Sequence, residues 1–215
     1  MPTTPNHAES SVPVRTAETS AESAGRASRI LSGRTAWLSA LVLAAVVFAI
    51  DQGTKYLVVT QMQLGERITV IDGLLWWYSI RNSGAAFSMG ENVTWIFTLV
   101  MVAAAIVVLY LLRRTRLLAW TLALGGLLGG ICGNLFDRLF REPGFGSGHV
   151  VDFISVPNFA IFNVADSAIC VCMALVVLLN FMGLNLNGTK APQESASKKA
   201  KTLKSAEADG ENTGA

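Results

Sequence analysis

The chain has 215 residues, of which 52% are hydrophobic and 15% are charged, and its formal net charge is +2. Soluble domains carry about 25% charged residues, so the composition excludes an ordinary soluble domain and indicates a membrane protein. The apolar residues fall in four blocks, and this length suits one helical bundle with its tails rather than several domains.

Residues 1–35 form the first predicted segment, which is rich in Ser, Ala, Thr and Glu and nearly free of large apolar residues. Such a composition buries too little surface to offset the entropy of ordering, so we expect a disordered tail. A cleaved signal peptide is the alternative. It fits less well because the apolar segment that follows is longer than a usual signal-peptide core and contains Asp51 and Lys55.

Four segments approach the length of about 20 residues that a helix needs to cross a bilayer. They lack the period-two alternation of barrel strands. The sequence therefore predicts an all-α membrane protein, a four-transmembrane-helix bundle that occupies residues 36–184. The predicted helices are 36–59, 93–112, 117–140 and 159–183.

The first predicted helix carries Asp51 and Lys55 near its end. The acid precedes the base by four residues, which is the better order for a helical ion pair. We expect this pair to anchor the end of the helix and the loop above it.

Residues 60–92 are predicted to form a small β-sheet cradle on the membrane surface. Two β-branched and aromatic runs, 67–71 and 74–80, are separated by Asp72-Gly73, which is a strong hairpin signal. Trp76, Trp77 and Tyr78 suit the headgroup zone. The following residues, 81–88, begin polar and turn apolar, which predicts a turn that leads into a short interfacial helix.

The third predicted helix has Asn134, Asp137 and Arg138 at i, i+3 and i+4, so all three share one face. Because a neighbouring Arg favours the ionised form of a carboxyl group, we expect a structural role for Asp137. We expect Asn134 and Arg138 to face the working site. Small residues recur at intervals of four in 125–133, which favours close helix packing in lipid.

The last two segments each carry a carboxylate. Asp152 lies in Val150-Val151-Asp152-Phe153-Ile154, and Asp166 follows Asn163 by three residues at the start of an apolar run that reaches Phe181. A charged side chain in hydrocarbon costs roughly 2.5 to 3.5 kcal/mol, so an intramembrane acid is a functional hypothesis by default.

Basic residues near the helix ends predict the orientation. They concentrate before the first helix, in the Arg113-Arg114-Thr115-Arg116 connection and in the Lys-rich tail 185–215, which we expect to be disordered. Both termini should therefore be cytoplasmic, and the two longer loops with their acids should face outward.

Two acids that share a site cannot both ionise cheaply, so the pair holds one proton near neutral pH, as in aspartic proteases. A serine or cysteine mechanism is poorly supported because His149 is the only histidine outside the N-terminal tail. The three cysteines lie in predicted helices and suit packing. No metal or cofactor is expected. The chemistry leaves proteolysis and transport open, the latter as a small proton-coupled transporter using Asp51, Asp137 and Asp166. A noncatalytic membrane scaffold is a third possibility.

Five ordered motifs across about residues 45–183 resemble the lipoprotein signal peptidase family, also called signal peptidase II. The motifs are Asp51-Gln52-Gly53-Thr54-Lys55, Arg81-Asn82-Ser83-Gly84-Ala85-Ala86-Phe87-Ser88, Gly133-Asn134-Leu135-Phe136-Asp137-Arg138, Val150-Val151-Asp152-Phe153-Ile154 and Phe162-Asn163-Val164-Ala165-Asp166.

The resemblance implies that Asp152 and Asp166 form a catalytic dyad in an aspartic endopeptidase. It also implies roles for two further sets of residues. Asn82, Asn134, Arg138 and Asn163 would shape the site around substrate and dyad, and Asp51, Lys55 and Asp137 would support the structure.

The implied substrate is a bacterial prolipoprotein, cut just before its diacylglyceryl-modified cysteine. The implied location is the plasma (inner) membrane, with the active site at the extracytoplasmic face. The cradle and the short helix would lie over that site. We expect contacts with membrane phospholipid, no nucleic-acid partner and a monomer.

Overall fold

A computed structural model describes residues 30–84 and 94–189 of the chain. Most of the two predicted tails and residues 85–93, which include the apolar part of the predicted interfacial helix, lie outside these ranges. All structural statements below concern the described residues.

Four helices are long and apolar enough to span a membrane, and they are α1 (Gly33–Gln61), α2 (Thr94–Arg114), α3 (Leu118–Phe140) and α4 (Val164–Phe181). Two of these helices have a side-chain cap at their N-terminus. Ser32 Oγ accepts a hydrogen bond from Thr35 N at 3.1 Å at the start of α1, and Asn163 caps α4. These spans confirm the predicted class, a multi-pass membrane protein.

The centre of the bundle is α3. Within its most apolar stretch 72% of the residues are buried, against 17% or less in the other three helices, which expose most of their apolar surface as lipid-facing helices do. Both α1 and α4 pack extensively against α3, and α2 packs mainly on α3 as well. The helices α1, α2 and α4 therefore all pack against α3, which is the core of the bundle.

Glycines allow this close packing, as the sequence predicted. A Cβ atom added at Gly129 would lie 2.7 Å from Ala44 O of α1, and one added at Gly130 would lie 2.7 Å from Ala165 O of α4. Real Cβ atoms essentially never approach so closely. The backbone of α3 thus touches its neighbours on two sides, which places its polar residues within reach of both.

A three-stranded antiparallel sheet covers one end of the bundle, which we call the sheet end. Its strands are β1 (Arg67–Ile71), β2 (Leu75–Asn82) and β3 (Val150–Ser155), in the order β1-β2-β3. The predicted hairpin at Asp72-Gly73 joins β1 to β2, and Gly73 has a φ of 70°, which a glycine adopts without strain. The third strand was not predicted.

The fourth helix begins at Val164, later than the predicted start at residue 159. The cause is a backbone pairing outside the named strands. Phe162 N donates to Ile154 O at 3.0 Å and Ile154 N donates to Phe162 O at 2.8 Å, which keeps the chain before Asn163 extended. This pairing ties the start of α4 to β3.

The described chain begins and ends at the end of the bundle opposite the sheet. Leu31 N donates to Arg116 O at 2.7 Å, and Arg116 N donates to Leu186 O at 2.8 Å. The chain entry, the α2–α3 connection and the segment after α4 are therefore joined by backbone hydrogen bonds.

Candidate active site

The polar residues of the five motifs converge at the sheet end, although they come from separate elements. Asn82 ends β2, Asp152 lies in β3, and Asp166 lies in the first turn of α4. The helix α3 contributes Asn134 and Arg138 from its last turns. Packing of α3 against its neighbours, and pairing of β2 with β3, brings these distant parts of the chain into one place.

Asn163 connects the two carboxylates that the sequence singled out. Its side-chain Oδ1 accepts from Asp166 N at 3.0 Å, and the Asp166 carboxylate accepts in return from Asn163 N at 3.1 Å, which is a reciprocal capping box. The Nδ2 of Asn163 donates to Asp152 Oδ1 at 2.6 Å. One asparagine thus begins α4 and places Asp152 relative to Asp166.

Asp152 is 2% exposed and accepts two side-chain hydrogen bonds. Besides Asn163, Asn82 Nδ2 donates to Asp152 Oδ2 at 2.8 Å. Burial and then the nearby charge of Asp166 raise the pKa of Asp152 to about 7, although the two asparagine hydrogen bonds and the charge of Lys55 act in the opposite direction. This side chain therefore exchanges a proton near neutral pH.

Asp166 is held by amides as well, and it is partly exposed. Asn134 Nδ2 donates to Asp166 Oδ1 at 2.6 Å, while the other carboxylate oxygen takes the Asn163 backbone bond. Each carboxylate of the pair is thus oriented at both oxygens by neutral donors.

A second group of acids lies beside this pair and surrounds a lysine. Lys55 Nζ lies 2.8 Å from Asp51 Oδ2 and 2.9 Å from Asp137 Oδ2, and all three side chains are fully buried. Lys55 Nζ also donates to Asn134 Oδ1 at 2.9 Å. We call Asp51, Lys55 and Asp137 the ion cluster.

The ion cluster reaches the backbone on either side of the site. Asp51 Oδ1 accepts from Ala165 N at 2.9 Å, next to Asp166, and Asp137 Oδ2 accepts from Val151 N at 3.2 Å, next to Asp152. Each acid therefore holds the residue that precedes one member of the carboxylate pair. The predicted Asp51–Lys55 ion pair is present within α1, and the ion cluster to which it belongs also reaches α3, α4 and β3.

Asp137 differs from the expectation in its basic partners. It pairs with Lys55 and with Arg141, whose Nε lies 2.5 Å from Asp137 Oδ1, rather than with the adjacent Arg138. Consecutive helical residues point in different directions, which explains the difference. Arg138 instead donates from Nη1 to Ser83 O at 2.9 Å and to Gly148 O at 3.1 Å, and from Nη2 to Gly84 O.

The carboxylate pair opens into a cavity of about 510 Å³. Its polar lining residues are Asn82, Asn134, Arg138, Asp152, Asp166 and Ser167. Met101 of α2 and Cys170 of α4 also line it. Across residues 30–84 and 94–189, no group of three or more His, Cys, Asp or Glu side chains is arranged to hold a metal ion.

Comparison with known proteins identifies the family. A sequence model described as signal peptidase (SPase) II matches residues 43–182, which contain all five motifs. The chain belongs to the signal peptidase II family. This is a family of peptidases, so of the functions that the chemistry left open the comparison supports proteolysis rather than transport.

Curated members of the signal peptidase II family are similar over most of their length. Three proteins named lipoprotein signal peptidase illustrate the range. That of Leifsonia xyli subsp. xyli is 47% identical over 72% of this chain and 72% of its own. That of Streptomyces coelicolor is 47% identical over 70% and 74%, and that of Mycolicibacterium smegmatis is 42% identical over 73% and 67%.

Two solved structures, each described as a bacterial membrane enzyme, share the fold of this signal peptidase II family member. The first has a TM-score of 0.60 with 30% identity over 66% of this chain and 87% of that chain. The second has a TM-score of 0.58 with 30% identity over 66% and 91%.

Sequence reasoning overlooked two residues that complete the polar network of this peptidase. Gln52 Nε2 donates to Asp51 Oδ2 and to Gly133 O, both at 3.0 Å, and Arg141 pairs with Asp137. Both positions carried a signal. Gln52 lies inside the first motif, and Arg141 follows Asp137 by one helical turn with the charge order that favours pairing.

Proposed function

We propose that this protein is an aspartic endopeptidase that removes the signal peptide from diacylglyceryl-modified prolipoproteins, with Asp152 and Asp166 as its catalytic dyad. The observation that carries the proposal is that both carboxylates line one cavity and are oriented by the same asparagine, Asn163. Each of the two accepts its side-chain hydrogen bonds from asparagine amides, an arrangement suited to carboxyl groups that exchange protons.

The dyad holds one proton at neutral pH, and Asp152 carries it. Because the pKa of Asp152 is raised to about 7, this group keeps a proton under conditions in which an ordinary carboxyl group is ionised. Asp166 lies in the first turn of α4, where the helix dipole is complementary to a carboxylate. Asp166 is therefore the general base and Asp152 the general acid.

Hydrolysis then needs no covalent enzyme intermediate. Asp166 takes a proton from a water molecule as the water oxygen attacks the scissile carbonyl carbon, and Asp152 protonates the carbonyl oxygen. In the second step Asp166 gives its proton to the departing nitrogen as the C–N bond breaks, and one hydroxyl group of the tetrahedral intermediate returns its proton to Asp152 as the carboxylic acid product forms. The dyad ends with the single proton with which it began.

A membrane-embedded substrate can reach the dyad through a cleft between α2 and α4. An apolar cavity of about 630 Å³ lies between these two helices, with α3 forming one of its walls. Ala104 of α2 and Met173 of α4 line it. These residues lie one helical turn beyond Met101 and Cys170, which line the dyad cavity. The cleft is suited to the apolar segment of a signal peptide, with its cleavage site at the dyad.

The same proposal places the sheet end at the extracytoplasmic face. The opposite end carries Arg113 and Arg114 in the last turn of α2 and Arg116 in the α2–α3 connection, and basic segments next to a span resist translocation. Both termini are then cytoplasmic, and the dyad lies where water and the lipidated cysteine meet. A protease-sensitive tag fused to either terminus tests this orientation. In sealed right-side-out vesicles, added protease should not digest the tag. Digestion of the tag would contradict the proposed orientation.

The decisive experiment is cleavage of a purified prolipoprotein in detergent micelles, with and without the diacylglyceryl group on its cysteine. We expect cleavage before the modified cysteine and little or no cleavage of the unmodified precursor. Mass spectrometry of both products identifies the bond. Equal cleavage of both precursors would contradict the substrate assignment, and cleavage of neither would contradict the proposed activity.

A further inference from the structure

A second cavity, of about 580 Å³, lies at the sheet end on the other side of β2. Arg81 lines this cavity and Asn82 lines the dyad cavity, because successive residues of a strand point to opposite faces. The sheet therefore separates the two cavities. We call the second one the arginine cavity, after Arg81 and Arg141.

The two guanidinium groups of the arginine cavity leave hydrogen-bond donors unused. Arg81 donates from Nη1 to Ile80 O at 3.0 Å and to Ser79 Oγ at 3.4 Å, and it forms no ion pair within residues 30–84 and 94–189. Arg141 uses its Nε for Asp137. A guanidinium has five N–H donors, so both retain donors that can bind an anion.

These two cations are also close enough to repel each other. Burial and then the charge of Arg141 lower the pKa of Arg81 from its ordinary value, and the charge of Asp137 offsets this only in part. An anion bound between two like charges relieves that repulsion. The remaining charged group in the lining, Glu142, is exposed to solvent and is therefore screened.

The other wall of the arginine cavity is apolar and exposed. Val59 is 39% exposed, Phe140 is 66% exposed and Leu64 is 70% exposed. Val59 and Phe140 belong to the last turns of membrane-spanning helices, so the wall lies where the hydrocarbon gives way to headgroups. A small inorganic anion would make no use of these apolar side chains, whereas a lipid would contact them with its acyl chain.

We propose that the arginine cavity binds an anionic phospholipid, with its phosphate between Arg81 and Arg141 and its acyl chain along Val59 and Phe140. Paired guanidinium groups match the oxygen geometry of a phosphate. The site is separate from the dyad, and its occupancy can be tested without any cleavage reaction.

The test is native mass spectrometry of the full-length protein released from micelles that contain phosphatidylglycerol or phosphatidylcholine. We expect phosphatidylglycerol to bind more tightly than phosphatidylcholine. Arg81→Gln should reduce its association constant about tenfold, since it removes a charge-assisted phosphate contact. Glu142→Gln should strengthen binding by less than about twofold, because Glu142 is exposed to solvent and its charge is screened.

The matched control is Arg67→Gln, which removes the same charge from an exposed arginine of β1 at the same end of the molecule. It should leave phosphatidylglycerol binding within about twofold of wild type. An equal loss in Arg67→Gln and Arg81→Gln would overturn the proposal in favour of diffuse surface attraction. Displacement of the lipid by inorganic phosphate at a similar concentration would overturn the assignment to a lipid.

Discussion

Two pairs of aspartates lie side by side at the sheet end, and they have opposite surroundings. Asp51 and Asp137 share a lysine, and each also holds a backbone amide. Asp152 and Asp166 take their side-chain hydrogen bonds from asparagines. A cation stabilises ionised carboxylates, whereas neutral amides orient them and leave one member able to keep a proton. Residue type alone therefore does not separate the acids proposed to be structural from those proposed to be catalytic.

The largest contrast should appear when single acids are replaced by their amides. Asp152→Asn and Asp166→Asn should each reduce cleavage of the lipidated precursor by at least about 10³-fold, because each removes a proton-transfer group. Both variants should remain inserted and folded, which thermal unfolding in detergent measures. Residual activity above a few per cent in either variant would remove that residue from the dyad.

Removal of the cation should damage the fold itself. Lys55→Met leaves two buried carboxylates without their shared partner, and such losses cost roughly 3 to 5 kcal/mol. We expect a large decrease in the free energy of unfolding, measured in mixed micelles with a graded denaturing detergent. The matched control is Tyr56→Met, at the adjacent exposed position of α1, which should be nearly neutral. Equal stability of the two variants would contradict a structural role for the ion cluster.

Asp152→Asn should have a pH-dependent effect on stability that sharpens the comparison. A carboxyl group whose folded-state pKa is about 7 and whose ordinary value is 3.8 stabilises the fold fully below pH 3.8. That contribution is lost as the pH rises through 7. Above pH 7 the variant should therefore exceed wild type by roughly 1 to 3 kcal/mol, and this advantage should shrink on acidification.

Thermal unfolding of both proteins across this pH range provides the measurement. Asp51→Asn is the control, because its carboxylate has a cationic partner, and it should be less stable than wild type above pH 7. An advantage of Asp152→Asn that grows on acidification would contradict the raised pKa.

The smallest predicted effect concerns the hydrogen bond from Asn82. Its donation to Asp152 lowers the pKa of that carboxyl group, so Asn82→Ala should move the alkaline limb of the pH–activity profile to higher pH. We expect about tenfold lower activity at the optimum, since one orienting contact is lost. An alkaline limb that moves to lower pH would show that Asp152 is not the group responsible.

Local signals in the sequence predicted much of the fold. Long apolar runs predicted four spans, and Asp72-Gly73 predicted the hairpin, because each depends on residues close together in the chain. The third strand and the start of α4 could not be predicted in this way. Val150–Ser155 is a strand because it pairs with β2, and the chain before Asn163 is extended because Phe162 pairs with Ile154.

The candidate site shows the same limit. Spacing grouped Asn134 with Asp137 and Asp51 with Lys55, and the family resemblance brought Asp152 together with Asp166. Residue spacing could not show that Lys55 also contacts Asp137, because that contact depends on the packing of α1 against α3. The dual use of Asn163, as a helix cap and as a partner of Asp152, is likewise a property of three-dimensional structure.

The capping box at Asn163 has a consequence for biogenesis. Asp152 and Asp166 are brought together only when Asn163 begins α4, and α4 is the last of the four described spans to leave the ribosome. A nascent chain with three inserted spans contains Asp152 but lacks its partner. With the proposed dyad, proteolytic competence arises only after the fourth span has been translated and inserted, so a chain that has not yet reached this stage cannot act on proteins that share the translocation machinery with it.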